Sequence, residues 1–111
     1  MAAANQSVVA ILKQTPNQPL MGNLKEDELI SYTLHQYKQD GDASWPLLFP
    51  MTKSALRTMD AIQDFGKNRL QKNIDNFFIS GASKRGWTTW LTAATQDPRV
   101  KAIAPMVIDM L

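Results

Sequence analysis

The chain has no cysteine among its 111 residues, which removes disulfides, thiolate nucleophiles and cysteine-based metal sites from consideration. That absence leaves the compartment open, because a cysteine-free protein tolerates oxidising and reducing surroundings alike. Histidine is nearly missing too: His35 is the single one, and no group of residues has metal-ligand spacing. Charge of one sign is also lacking, with 12 basic and 10 acidic residues giving a formal net charge of +2. Lys84-Arg85 is the only adjacent basic pair, so there is no stripe suited to a phosphate backbone, and nucleic-acid binding is not expected. No apolar run nears the ~20 residues of a membrane span. Met1-Ala2-Ala3-Ala4-Asn5-Gln6-Ser7 has neither the basic start nor the long apolar core of an export signal. Gly-x-Gly-x-x-Gly and the P-loop Gly-Lys-Ser/Thr are absent as well, which argues against a nucleotide-binding module. None of these features implies a cofactor.

What the chain does contain is an alternation of elements. With 111 residues and ordinary apolar content it can form one domain, or part of one, around a buried core. Ser7–Lys13 reads as a strand with little alternation, as suits a parallel strand covered on both faces. Pro16 and Pro19 break it. Asn23 and Glu26 have capping-box spacing and open a helix over Leu24–Gln39, with Ile30, Leu34 and Tyr37 as its apolar stripe and Gly41 as its stop. Asp42–Phe49 reads as a loop. A second helix starts at Pro50 and runs to about Gln71, with Leu56, Met59, Ile62 and Phe65 along one face. Ile74–Ser80 is the second strand. A third helix follows Ser83, with Trp87, Trp90, Leu91 and Ala94 expected inward and Asp97-Pro98 ending it. Val100–Ile108 is the third strand.

The order strand–helix–helix–strand–turn–helix–strand predicts the α/β class, a partial parallel sheet with flanking helices. Three such strands would leave both sheet edges bare, and the chain stops directly after a strand. We therefore expect residues 1–111 to be a single partial domain, excerpted from a longer chain or completed by another. On its own it would self-associate through the exposed edges.

Phe77-Phe78-Ile79-Ser80-Gly81-Ala82-Ser83-Lys84-Arg85-Gly86-Trp87 is the most telling stretch. An apolar β-prone run meets Gly-Ala-Ser, and a helical pattern follows at once, the order a nucleophile elbow requires. Such a turn lifts the serine above the sheet, and the helix N-terminus behind it offers free N–H groups to a developing oxyanion. Small residues are needed where strand and helix backbones pass close, and Gly81 meets that need. Arg85 stands where Gly-x-Ser-x-Gly has its second glycine, which comes one place later at Gly86.

Pro16-Asn17-Gln18-Pro19-Leu20, the run Trp45–Ala55, Gly81-Ala82-Ser83-Lys84-Arg85-Gly86-Trp87-Thr88-Thr89-Trp90 and Asp97-Pro98-Arg99-Val100-Lys101-Ala102-Ile103 resemble the PhoPQ-activated pathogenicity-related proteins. The resemblance extends from about Ser7 over nearly the whole chain. It implies an α/β-hydrolase fold of which this chain is a central segment, with Arg85 a normal part of the elbow. It also implies a periplasmic or secreted location and a link to virulence. Ser83 matches that family's nucleophile, while its acid, histidine and oxyanion loop would lie outside this chain.

Each candidate has two readings. Ser83 is either an acyl-forming nucleophile or the cap of the third helix. The backbone N–H of Lys84 is the expected oxyanion donor, its side chain solvated. Arg85 either grips a substrate carboxylate bidentately or pairs with a nearby acid and locks the turn, and the second is preferred. His35 precedes Ser83 and sits mid-helix, against the Ser–acid–His order of this fold, so it reads as an exposed helical histidine. Asp109, at the carboxyl end of the third strand, is either the acid of the triad or a strand-end cap. Trp45, Trp87 and Trp90 read as packing and loop anchors rather than stacking platforms.

Two functions follow. In the first, the parent protein is a serine hydrolase acting on a small-molecule or peptide ester or amide. This segment is then inactive alone, for want of a general base. In the second, a non-catalytic hydrolase-fold scaffold serves as a secreted signalling, virulence-related or binding protein.

Overall fold

The computed structural model describes residues 7–107. Its elements are α1 (Glu26–Asp40), α2 (Leu48–Phe65) running into a π-helical turn (Gly66–Leu70), β1 (Phe77–Ala82), α3 (Lys84–Ala94) and β2 (Val100–Met106). β1 and β2 pair in parallel, from Phe77 opposite Val100 to Ala82 opposite Met106, with an irregularity between Phe77 and Phe78. The architecture is thus mixed α/β, three helices around a two-stranded parallel sheet. α3 is the crossover that a parallel pair requires.

The expected first strand, Ser7–Lys13, is not one. It pairs with no strand among the described residues and exposes Val8, Val9, Ile11 and Leu12. An extended run becomes a strand only when a neighbour accepts its hydrogen bonds. Here Ser7–Leu12 and Lys72–Gly81 both border an open groove of about 1660 Å³, and no described segment fills it. The second strand begins later than read, at Phe77, because the ladder starts where β2 runs alongside; the Phe77 N–H meets the Arg99 carbonyl at 2.7 Å. The end predicted for the third strand, Ile108, lies outside the described residues.

α1 starts close to expectation, but Asn23 does not cap it. Asn23 takes a turn conformation with φ 79°, and the Gln18 side chain acts from outside the helix instead. Gln18 Oε1 accepts the Glu26 backbone N–H at 2.9 Å, and Gln18 Nε2 donates to the Glu26 carboxylate. Reciprocal Leu20–Leu24 backbone bonds of 3.0 and 2.8 Å close the intervening loop and hold Gln18 in place. Glu26, Asp27 and Glu28 in the first turn and Lys38 in the last suit the helix dipole. Gly41 ends α1 as read, with φ 72° and its N–H on the Tyr37 carbonyl at 2.7 Å.

The core joins Leu29 and Ile30 of α1 to Leu47, Leu48 and Met51 around the start of α2, with Leu24 and Leu91 packed against it. α2 therefore covers only the N-terminal half of α1, which is why Leu34 and Tyr37 are exposed and Leu29 and Thr33 are buried in their stead. The Thr33 hydroxyl ties the two helices, donating to the Ile30 carbonyl at 2.9 Å and accepting the Leu47 N–H at 3.2 Å. Of the α2 face, Met59 is buried, Leu56 and Ile62 are half-buried, and Phe65 is exposed. Trp45 anchors the connecting loop as expected: its indole N–H donates to Asp40 at 2.9 Å, and its ring meets Tyr32 edge-on at 6.2 Å.

α3 turns a different face inward from the one read. Trp87 and Trp90 are 38% and 46% exposed and Ala94 is exposed, while Thr88, Thr89 and Thr92 are buried; of the expected set only Leu91 packs on the core. Threonine suits that place because its methyl packs and its hydroxyl is satisfied within the helix. The hydroxyls of Thr88, Thr89 and Thr92 donate to the carbonyls of Lys84, Arg85 and Thr88 at 3.0, 2.8 and 2.8 Å.

Candidate active site

One residue separates strand from helix: β1 ends at Ala82, α3 begins at Lys84, and Ser83 stands between. Its φ of 56° and ψ of −125° belong to neither element, a conformation that costs a non-glycine residue about 1–3 kcal/mol. Two backbone bonds hold it there. The Ser83 N–H reaches the Met106 carbonyl at 3.0 Å, and the Ser83 carbonyl accepts the Trp87 N–H at 3.0 Å. Ser83 is exposed, and its hydroxyl makes no capping bond to α3, so the helix-cap reading does not describe it.

Gly81 makes the turn possible. A Cβ there would lie 2.6 Å from the Arg85 carbonyl oxygen and 2.9 Å from its carbon. Both are backbone atoms and cannot swing aside.

Lys84 opens α3, so its N–H is among the donors that a helix leaves unbonded at its start. Its side chain is not solvated, as the sequence suggested, but only 1% exposed, with Nζ in ion-pair contact with Glu26. Apart from Glu26, no acceptor reaches that ammonium among the described residues. Burial and then the neighbouring Arg85 charge pull the Lys84 pKa below its usual value, while the Glu26 carboxylate favours the charged form. Arg85 Nη1 stands 3.8 Å from the same carboxylate, in keeping with the preferred reading of an arginine that pairs with an acid.

The sequence reading gave Glu26 a capping role but missed its place at the turn, which it meets from the start of α1, and missed Gln18, which holds Glu26 from outside the helix. The signal available was the Pro16-Asn17-Gln18-Pro19-Leu20 run, singled out without a role. His35 lies exposed on α1, its Nε2 3.1 Å from the Gln39 amide. Among the described residues the Ser83 hydroxyl makes no cap bond, and no cluster of three acidic, histidine or cysteine residues could hold a metal. Asp109 lies outside the described residues. The apolar groove reaches Gly81 and Arg85 but does not include Ser83, so it is the uncovered flank of β1 rather than a pocket over the turn.

The whole chain, residues 1–111, matches the model of the PhoPQ-activated pathogenicity-related protein family. The chain belongs to that family. The chain is also similar to autocrine proliferation repressor protein A of Dictyostelium discoideum. The two are 46% identical over 111 residues, covering 95% of this chain and 22% of the relative. It thus spans about a fifth of that relative's length. No solved structure matches the chain.

Proposed function

We propose that this family member carries the nucleophile elbow of a serine hydrolase with the α/β-hydrolase fold, and that residues 1–111 are a central segment of the longer chain. The observation that carries the reading is Ser83, held at φ 56° and ψ −125° between strand and helix with its hydroxyl uncommitted. Neither a cap nor a packing residue needs that backbone. Ser83 would attack the carbonyl carbon of an ester or amide in a small molecule or peptide, and the Lys84 N–H would receive the oxyanion. A histidine from elsewhere in the longer protein would take the Ser83 proton, with Asp109 or another carboxylate orienting it. Arg85 retains a secondary role as a grip for a substrate carboxylate. The 111-residue segment alone, lacking a base, would be inactive.

A fluorophosphonate probe on the full-length protein tests this. Labelling at Ser83 that disappears in Ser83→Ala supports the hydrolase. A folded, unlabelled protein supports the second reading, a hydrolase-fold scaffold with a secreted signalling or virulence-related role. The name of the Dictyostelium relative, a proliferation repressor, favours that second reading. Among the described residues one flank of β1 pairs with no strand, which supports self-association of the isolated segment.

A further inference from the structure

We infer that the buried Lys84 ammonium and the Glu26 carboxylate form a clamp that fixes the Ser83 turn, making both residues positioning groups for Ser83; the catalytic consequence rests on the hydrolase reading above. The argument starts from how poorly an ammonium fits where Lys84 is. It belongs to the first residue of α3, where the helix dipole disfavours positive charge. It is nearly fully buried, and Arg85 follows it directly. Three effects therefore expel it, and Glu26 alone opposes them among the described residues.

Glu26 is itself well held. Gln18 bonds both its carboxylate and its backbone N–H, and it stands in the first turn of α1, where negative charge is favoured. With the carboxylate gone, the ammonium must seek water. Lys84 is covalently next to Ser83, so such a movement is transmitted to the strained turn and to the N–H at the helix start. The charge pair thus joins the α1 N-terminus to the first residue of α3, directly after the one residue between β1 and α3.

The test measures fluorophosphonate labelling of the full-length protein over a range of probe concentrations, giving a saturating rate and a half-saturating concentration. Glu26→Gln and Lys84→Met are expected to lower the saturating rate about 10²-fold, the order produced by ångström-scale misplacement, with the half-saturating concentration unchanged. Glu26→Asp, which keeps the charge, recovers most of the rate. Lys84→Met/Glu26→Gln is no slower than either single variant. Wild-type rates in the single variants, or a Glu26→Asp protein as slow as Glu26→Gln, overturn the clamp while leaving the serine reading intact. If Lys84→Met does not fold, the contrast between Glu26→Asp and Glu26→Gln carries the test. If the wild type is not labelled, the serine reading falls and a urea-denaturation cycle decides: non-additive losses for Glu26→Gln and Lys84→Met support the clamp, additive ones overturn it.

Discussion

Ser83 and Gly81 divide the demands of the turn between them. Gly81 gives up a side chain so that the Arg85 carbonyl can pass, and Ser83 keeps one in a conformation that favours glycine. Gly81→Ala should therefore cost about 1–3 kcal/mol in urea denaturation, as overpacking against backbone does, and slow Ser83 labelling. At Ser83 itself, the strain predicts that Ser83→Gly is more stable than Ser83→Ala by about 1 kcal/mol, because glycine adopts that φ without a Cβ penalty. Neither variant should react with the probe. Equal stability of the two would mean that the turn is not strained. The residue types around this turn made it legible in sequence, since a β-prone run, small residues and a helical pattern leave few other conformations. The fate of the Lys84 side chain was not legible. Its partner Glu26 opens a different helix, and no local spacing links the two.

At the scale of elements, periodicity located α1, α2, α3 and β2 but misassigned the inner face of α3. The reading set tryptophan above threonine by hydrophobicity. The fold prefers small side chains with internally bonded hydroxyls beneath the turn and leaves Trp87 and Trp90 outside. It also overlooked the polar tie at the opposite end of the strands. Arg99, just before β2, donates to Asp97 at 2.8 Å, to Asp60 of α2 at 2.7 Å and to Gln63 at 3.0 Å. Bonds from the Arg99 side chain and backbone N–H lower the Asp97 pKa from 3.8 to about 2. Arg99 and then Arg57 lower that of Asp60. Both folded values lie below the unfolded ones, so the stability from these carboxylates is complete above about pH 4 and is lost as pH falls towards 2. Asp97→Asn should flatten that acid limb while leaving the shape of the profile above pH 5 unchanged. A urea midpoint measured across pH 2–7 checks it.

The whole molecule is dominated by what it leaves uncovered. Ser7–Lys13 is apolar but not the strand expected of it: a ladder needs a neighbour, and across the groove from β1 none is described. Phe78, 64% exposed on β1, marks that flank. The 111-residue segment alone should sediment as concentration-dependent oligomers, and Phe78→Lys should raise the monomer fraction, as charge on a bare edge strand does. Unchanged sedimentation would place the association elsewhere. The three indoles also sort themselves in a useful way. Trp45 is fastened to Asp40 within the loop, whereas Trp87 and Trp90 look outward from α3. In emission the chain thus carries two reporters of contact with whatever packs over that helix and one internal standard that such packing does not reach.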